Sequence, residues 1–158
     1  MIYEVFIRIL ESEEKMKKDN LRDLKETKKL FGRTPLIFCA IIIFFHNKNI
    51  IEARTALSSL PIGEIECRQD KADNELSYVE ISRINNERFW ELGEALTKMF
   101  SYVDDYLPQI CKIIYKYNGT VKLDVAFYHY KTFPSLLIEG ENMRKIRMLE
   151  ADISIDAY

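Results

Sequence analysis

Thr120-Val121-Lys122-Leu123-Asp124-Val125-Ala126-Phe127-Tyr128-His129-Tyr130 alternates apolar and polar side chains over most of its length. A period of two places Val121, Leu123, Val125 and Phe127 on one face of a strand and Lys122, Asp124, Ala126 and Tyr128 on the other. A half-buried strand needs sheet neighbours and a covering layer, and the segments before it supply both. Pro35 to Phe45 is an uncharged apolar run rich in Ile and Phe, far shorter than the roughly 20 residues of a membrane helix, and it reads as a buried strand. It breaks at His46-Asn47-Lys48-Asn49. Asn49 and Glu52 have capping-box spacing, which predicts a helix from Ile50 to Ser59 with Ile51, Ala53, Ala56, Leu57 and Leu60 on its apolar side and Pro61 as its stop. Ile62 to Arg68 and Leu76 to Ile84 then read as a hairpin around the polar turn from Gln69 to Asn74.

Asn85-Asn86 has the composition of a helix cap, followed by a stripe of Phe89, Leu92, Leu96, Met99 and Phe100. A second helical segment starts near Asp104-Asp105, accepts Pro108 in its first turn and ends at the left-handed stop Asn118-Gly119. From Leu36 to Tyr130 the order is strand, helix, strand, strand, helix, strand, the split plan of ferredoxin-like folds. The expected class is therefore α+β, a two-layer sandwich with helices on one face of an antiparallel sheet. The expected organisation is a single domain over 1–158: an N-terminal strand and helix in 1–35 (Ile2 to Leu10, then Glu11 to Arg33), the core in 36–130, and a C-terminal helix and strand in 131–158, with the strand running from Ala151 to Tyr158.

Composition narrows the function classes. Of 158 residues, 47% are hydrophobic and 30% charged, the balance of a folded chain. With 23 basic against 25 acidic residues the net charge is −2, which lacks the basic excess of a general nucleic-acid binder. The imbalance is local: positions 1–35 hold nine bases and seven acids, and the other 123 residues hold fourteen and eighteen. Cys39, Cys67 and Cys111 are odd in number and far apart, so neither a disulfide framework nor a thiolate metal cage is indicated. Met1 to Leu10 carries Glu4 and Arg8, unlike a secretory signal, and a cytoplasmic location is expected.

No motif carries chemistry. His46 and His129 are the two histidines, and a metal-independent ribonuclease using both is one reading, but their spacing matches no catalytic pattern. HxxxH and HExxH spacings are absent, Asp104-Asp105 and Asp152 with Asp156 read as a cap and strand charges, and Gly32, Gly63, Gly93, Gly119 and Gly140 are isolated. No cofactor and no metal are implied.

From about Cys39 to Tyr158 the chain resembles a bacterial domain-of-unknown-function family of small α/β proteins. The similarity lies in Pro134-Ser135-Leu136, in the amphipathic helix with Met143, Ile146 and Leu149, and in the closing Ala151-Asp152-Ile153-Ser154-Ile155-Asp156-Ala157-Tyr158. A second point is the helix that opens Asn86-Glu87-Arg88-Phe89-Trp90 and closes after Leu107-Pro108. Members of that family look like accessory or immunity proteins encoded beside bacterial toxins, with no catalytic residue set. The resemblance implies binding rather than catalysis: neutralisation of a cognate toxin by occlusion of its active site, such as a basic nuclease toxin of a contact-dependent inhibition or other polymorphic toxin system. The expected partner is that toxin, with no direct nucleic acid and no membrane, and the protein itself a monomer or homodimer.

A basic partner directs attention to acid and tyrosine. Between Glu64 and Glu87 there are seven acids against three bases, a net of −4. Strand alternation turns Tyr78, Glu80 and Ser82 outward, and Asp124, Tyr128 and Tyr130 likewise on the later strand. The candidate partner-binding residues are Glu64, Glu66, Asp70, Asp73, Glu75, Tyr78, Glu80, Asp124, Tyr128 and Tyr130. The alternative from another class is a non-catalytic ligand-binding or self-associating regulatory module, which requires an apolar pocket or a symmetric contact.

Overall fold

The computed structural model describes residues 34–128 and 134–158, apart from the side chain of Asn86. The chain divides into two compact units, Met1–Arg33 and Thr34–Tyr158, and every described residue belongs to the second. The expected strand from Ile2 to Leu10, the helix from Glu11 to Arg33, and Tyr130 and His129 lie outside the described residues.

The elements are β1 (Leu36–His46), α1 (Ile50–Ser58), β2 (Glu66–Gln69), β3 (Leu76–Arg88), α2 (Leu92–Ser101), a 3-10 turn (Asp104–Tyr106), α3 (Leu107–Lys116), β4 (Thr120–Tyr128), α4 (Gly140–Met148) and β5 (Asp152–Ala157). The strands form one open sheet in the order β2-β3-β1-β4-β5. All neighbours run antiparallel except β4 and β5, which are parallel. The fold is α+β, with one mostly antiparallel sheet and four helices among the described residues.

The core forms where two periodicities meet. On the strands, Ile37, Cys39, Ile41, Ile43 and Phe45 of β1 are buried together with Val79 and Ile81 of β3 and Val121, Leu123, Val125 and Phe127 of β4. The alternation read from β4 is therefore the alternation of the structure. On the helices, a spacing of three and four brings Ala53 and Leu57, Leu92, Leu96 and Met99, Ile110 and Ile114, and Ile146 with Leu149 into the same cluster.

Three boundaries differ from the sequence reading. Asn85-Asn86 does not cap a helix but lies inside β3, which stays paired with β1 as far as Leu36↔Arg88. An apolar central strand leaves its backbone donors unmet wherever a neighbour ends early, and the ladder outweighs a local cap. The register slips between Ile37↔Glu87 and Cys39↔Ile84, so the Asn pair supplies the extra residue of a bulge. Helix α2 starts instead at Leu92, whose N–H donates to Ser135 O at 2.8 Å, while Ser135 N donates to Trp90 O at 2.8 Å. The strand expected from Ile62 begins only at Glu66, because Gly63 takes a left-handed turn at φ +89. Asn49 makes no side-chain cap bond to α1; its Nδ2 donates to Tyr117 O at 3.0 Å and ties α1 to the end of α3.

The Asn118-Gly119 stop behaves as read, with the two residues dividing the work. Asn118 takes the left-handed conformation at φ 52. Asn118 N donates to Tyr115 O and Gly119 N to Ile114 O, the paired bonds of a Schellman end. Gly119 is needed for space, since a Cβ there would lie 2.5 Å from Cε1 of the fully buried Phe45.

Helix α4 is fastened by buried polar groups. Asn142, 2% exposed, donates to Gly93 O at 3.1 Å and to Thr97 Oγ1 at 3.0 Å, both on α2. Lys145, 7% exposed, reaches Asp104 Oδ2 at 2.7 Å.

Replacing Gly119 with Ala should destabilise the protein by about 1–3 kcal/mol, because the fully buried Phe45 ring would have to shift to admit the methyl. Chemical denaturation checks this, and a cost below about 0.5 kcal/mol would show that the ring relaxes freely.

Candidate partner-binding face

The face of the sheet opposite the buried strand residues is built by register. Residues paired across strands share a face, so one row crosses the sheet as Glu66, Glu80, Ile42, Lys122 and Asp152. Neighbouring rows bring Arg68, Tyr78, Phe44 and Thr120 together, then Arg83, Ala40, Asp124 and Ser154. At the far end Leu36 pairs with Tyr128. Strand β1 thus gives the face a central apolar line of Leu36, Phe38, Ala40, Ile42 and Phe44, with acids, bases and tyrosines on either side.

The long apolar run of β1 contained this line, because a strand with polar residues on neither face has two apolar faces. Leu36, Phe38, Ile42 and Phe44 are half-buried. The Tyr78 ring packs against Phe44 at 5.8 Å, tilted by 53°. The guanidinium of Arg83 lies over Phe38 at 5.6 Å. An apolar centre with a polar, aromatic rim is the anatomy of protein interfaces.

Of the ten residues read as partner-binding, Glu66, Tyr78, Glu80, Asp124 and Tyr128 share this face. Glu64 precedes β2, and Asp70, Asp73 and Glu75 lie in the β2–β3 connection. Two of these acids are spent on the turn: Asp70 Oδ1 accepts from Ala72 N at 3.0 Å, and Asp73 Oδ1 from Glu75 N at 2.8 Å. Tyr130 lies outside the described residues.

The acids on the face are paired with bases two or three residues away. Arg68 reaches Glu66 at 2.7 Å, Arg83 meets both carboxylate oxygens of Glu80 at 2.6 Å, and Lys122 lies 3.4 Å from Asp124. Glu87 is held by Lys98 of α2. The −4 of the sequence segment therefore does not become one acidic surface. Glu80 and Arg83 are the most covered pair, with side-chain exposures of 11% and 31%.

Strand β5 adds what the sequence reading left out. Asp152, Ser154 and Asp156 are in register with Lys122, Asp124 and Ala126 and extend the face. Tyr158 stacks on Tyr128 with centroids 5.1 Å apart and planes 14° from parallel, and both rings are largely exposed. The same parity rule applied to the closing segment finds these residues; the missing signal was that β5 lies beside β4.

Other chemistry is sparse. Among the described residues no three His, Cys, Asp or Glu side chains converge at a metal-holding distance. His46 is exposed at the end of β1, where it pairs with Leu76. His129 lies outside the described residues. Burial pushes the Cys39 thiol up to about 12, with Glu87 adding to the rise. Cys111 is also raised, chiefly by burial. An open groove of ≈ 520 Å³ separates α1 from Cys67, and another of ≈ 600 Å³ lies between the ends of α3 and α4. No described helix is long and apolar enough to cross a membrane. No protein-family model, curated protein or solved structure matches the chain.

Arg83→Ala should cost about 1–3 kcal/mol by leaving the covered Glu80 carboxylate without its partner. The Glu80→Gln, Arg83→Ala double variant should lose less than the sum of the two single changes, measured by urea denaturation, and strict additivity would show that the pair is not coupled. Cys39 should resist a thiol reagent at about pH 8 until denaturant is added, since the native thiol keeps its proton. The unfolded thiol ionises near 9.0 and the native one near 12, so this group lowers stability as the pH rises through that window. Labelling of Cys39 in the native protein would contradict its burial.

Proposed function

We propose that this chain is a non-catalytic binding protein, an immunity-type protein that neutralises a toxin by covering a basic surface of it. The observation that carries this reading is the composite face: a line of apolar β1 side chains bordered by Glu66, Glu80, Asp124, Asp152 and Asp156 and by Tyr78, Tyr128 and Tyr158. Tyrosine offers a wide contact area with a polar tip, and paired charges around an apolar centre give orientation and steering. The paired bases on the face narrow the partner. A uniformly basic patch would meet Arg68, Arg83 and Lys122 as well as the acids, so the complementary surface carries basic groups at its edge, over Asp152 and Asp156, and apolar groups at its centre.

The resemblance to immunity-like members of a bacterial family of unknown function belongs to the same reading. So does the finer description of the fold as a ferredoxin-like two-layer sandwich extended by α4 and β5. It is supported by the order β2-β3-β1-β4 and by helices placed between β1 and β2 and between β3 and β4. Three unpaired thiols suit a reducing, cytoplasmic site of action.

The test is growth rescue. Co-expression with the product of an adjacent toxin gene should protect cells, and the two proteins should purify together. Asp152→Lys with Asp156→Lys should then slow association about fivefold or more and flatten its dependence on salt, with little change in the dissociation rate. Failure to protect, or a rate and salt profile equal to that of the unaltered protein, overturns the assignment to this face.

A further inference from the structure

Strand β5 ends the sheet on one side, and its outer edge has no paired strand among the described residues. Its backbone parity is fixed by one bond: Tyr158 N donates to Phe127 O at 2.9 Å. In a parallel ladder, alternate residues direct both N–H and C=O to the same neighbour. Asp152, Ser154 and Asp156 therefore bond to β4, and Ile153, Ile155 and Ala157 present their N–H and C=O groups outward.

The side chains follow the same alternation. Asp152, Ser154 and Asp156 lie on the candidate binding face, in register with Lys122, Asp124 and Ala126. Ile153 and Ile155 point to the other face and are 39% and 45% exposed. An edge that only repels other strands is shortened, twisted or charged on its exposed sides. This one has six residues, and although Asp152 and Asp156 charge one face, the other leaves two isoleucines open.

We propose that the β5 edge is a strand-docking site for an extended segment of the partner in which basic and apolar residues alternate. Lys or Arg of that segment pairs with Asp152 and Asp156, its apolar residues cover Ile153 and Ile155, and its backbone bonds to the outward groups of Ile153, Ile155 and Ala157. A second copy of this chain fits less well in the register centred on Ser154. Antiparallel pairing about Ser154 would set each Asp152 directly against the other copy's Asp156.

This inference rests on the binding reading above and names its mode, but its test needs no toxin. The probe is a synthetic peptide of about eight residues alternating Lys and Val, added to the full-length protein labelled with nitrogen-15. Amide exchange at Ile153 and Ile155 should slow about tenfold or more at saturation, while a Glu-Val peptide and a block Lys-Val peptide should leave it unchanged. Ile155→Pro should weaken peptide binding about tenfold or more, because it deletes an outward N–H and spares the bonds to β4. Asp152→Asn with Asp156→Asn, which leaves the backbone intact, should weaken it about threefold or more and reduce its salt dependence.

Unchanged exchange at both amides, or equal binding of the Glu-Val peptide, overturns the proposal. Slow exchange without peptide that rises with protein concentration, together with a doubled mass, would assign the edge to a second copy and overturn it as well. Slowed exchange with the peptide but no growth rescue overturns only the toxin reading, and rescue without slowed exchange overturns only the edge.

Discussion

The sheet depends on β1 having no polar side chain from Leu36 to Phe45. Both its edges are paired over most of its length, to β3 from Leu36 to His46 and to β4 from Leu36 to Phe44. One face of the strand, from Ile37 to Phe45, is sealed under the helices, and the other supplies the apolar line of the candidate face. A polar residue at an odd position would meet the core, and one at an even position would break the line between Tyr78 and Tyr128. The same stretch thus fixes the position of the core and the character of the opposite surface.

That dominance also explains which parts of the fold were legible. Strict alternation in β4 gave its buried face directly, because side-chain direction in a strand is a local property. Order and type of elements were equally readable from Leu36 onward. The two asparagine caps fail as caps for one cause, whereas β2 starts late because of Gly63. Asn85-Asn86 and Asn49 carry strong local preferences for caps, yet the first pair is held in the β1–β3 ladder and Asn49 is drawn to Tyr117 O. Tertiary pairing overrides a preference worth about 1 kcal/mol when it satisfies several backbone groups at once. The bulge at Ile81 and Ser82 could not be read from composition either; it turns both residues inward and lets Ser82 Oγ donate to Met99 O at 2.7 Å.

The site was half legible for a related reason. Counting charge along a segment assumes that neighbours in sequence are neighbours on one surface. From Glu64 to Glu87 the chain crosses a loop, a strand, a turn and a second strand, and its seven acids separate accordingly. Asp70 and Asp73 hold the turn, Glu87 goes to α2, and Glu66 and Glu80 meet Arg68 and Arg83. The parity argument did better than the charge count, because Tyr78, Glu80, Asp124 and Tyr128 were joined by the pleat itself. It missed Asp152, Asp156 and Tyr158 only because strand order is a long-range property.

The placement of β5 is in turn set by groups far from it. Lys145 and Asn142 lock α4 against the 3-10 turn and α2 through bonds that a shifted helix could not make. Glu150, left-handed at φ 50, then ends α4 with Glu150 N donating to Arg147 O and Ala151 N to Ile146 O. Glycine adopts this conformation without strain and glutamate does not, so the turn is held by the bonds around it rather than by its own preference. Two residues after Glu150 the chain enters β5 in register with Lys122. Buried polar bonds are weak evidence of stability but strong constraints on geometry, and here they set where β5 joins the sheet and which side chains stand along it.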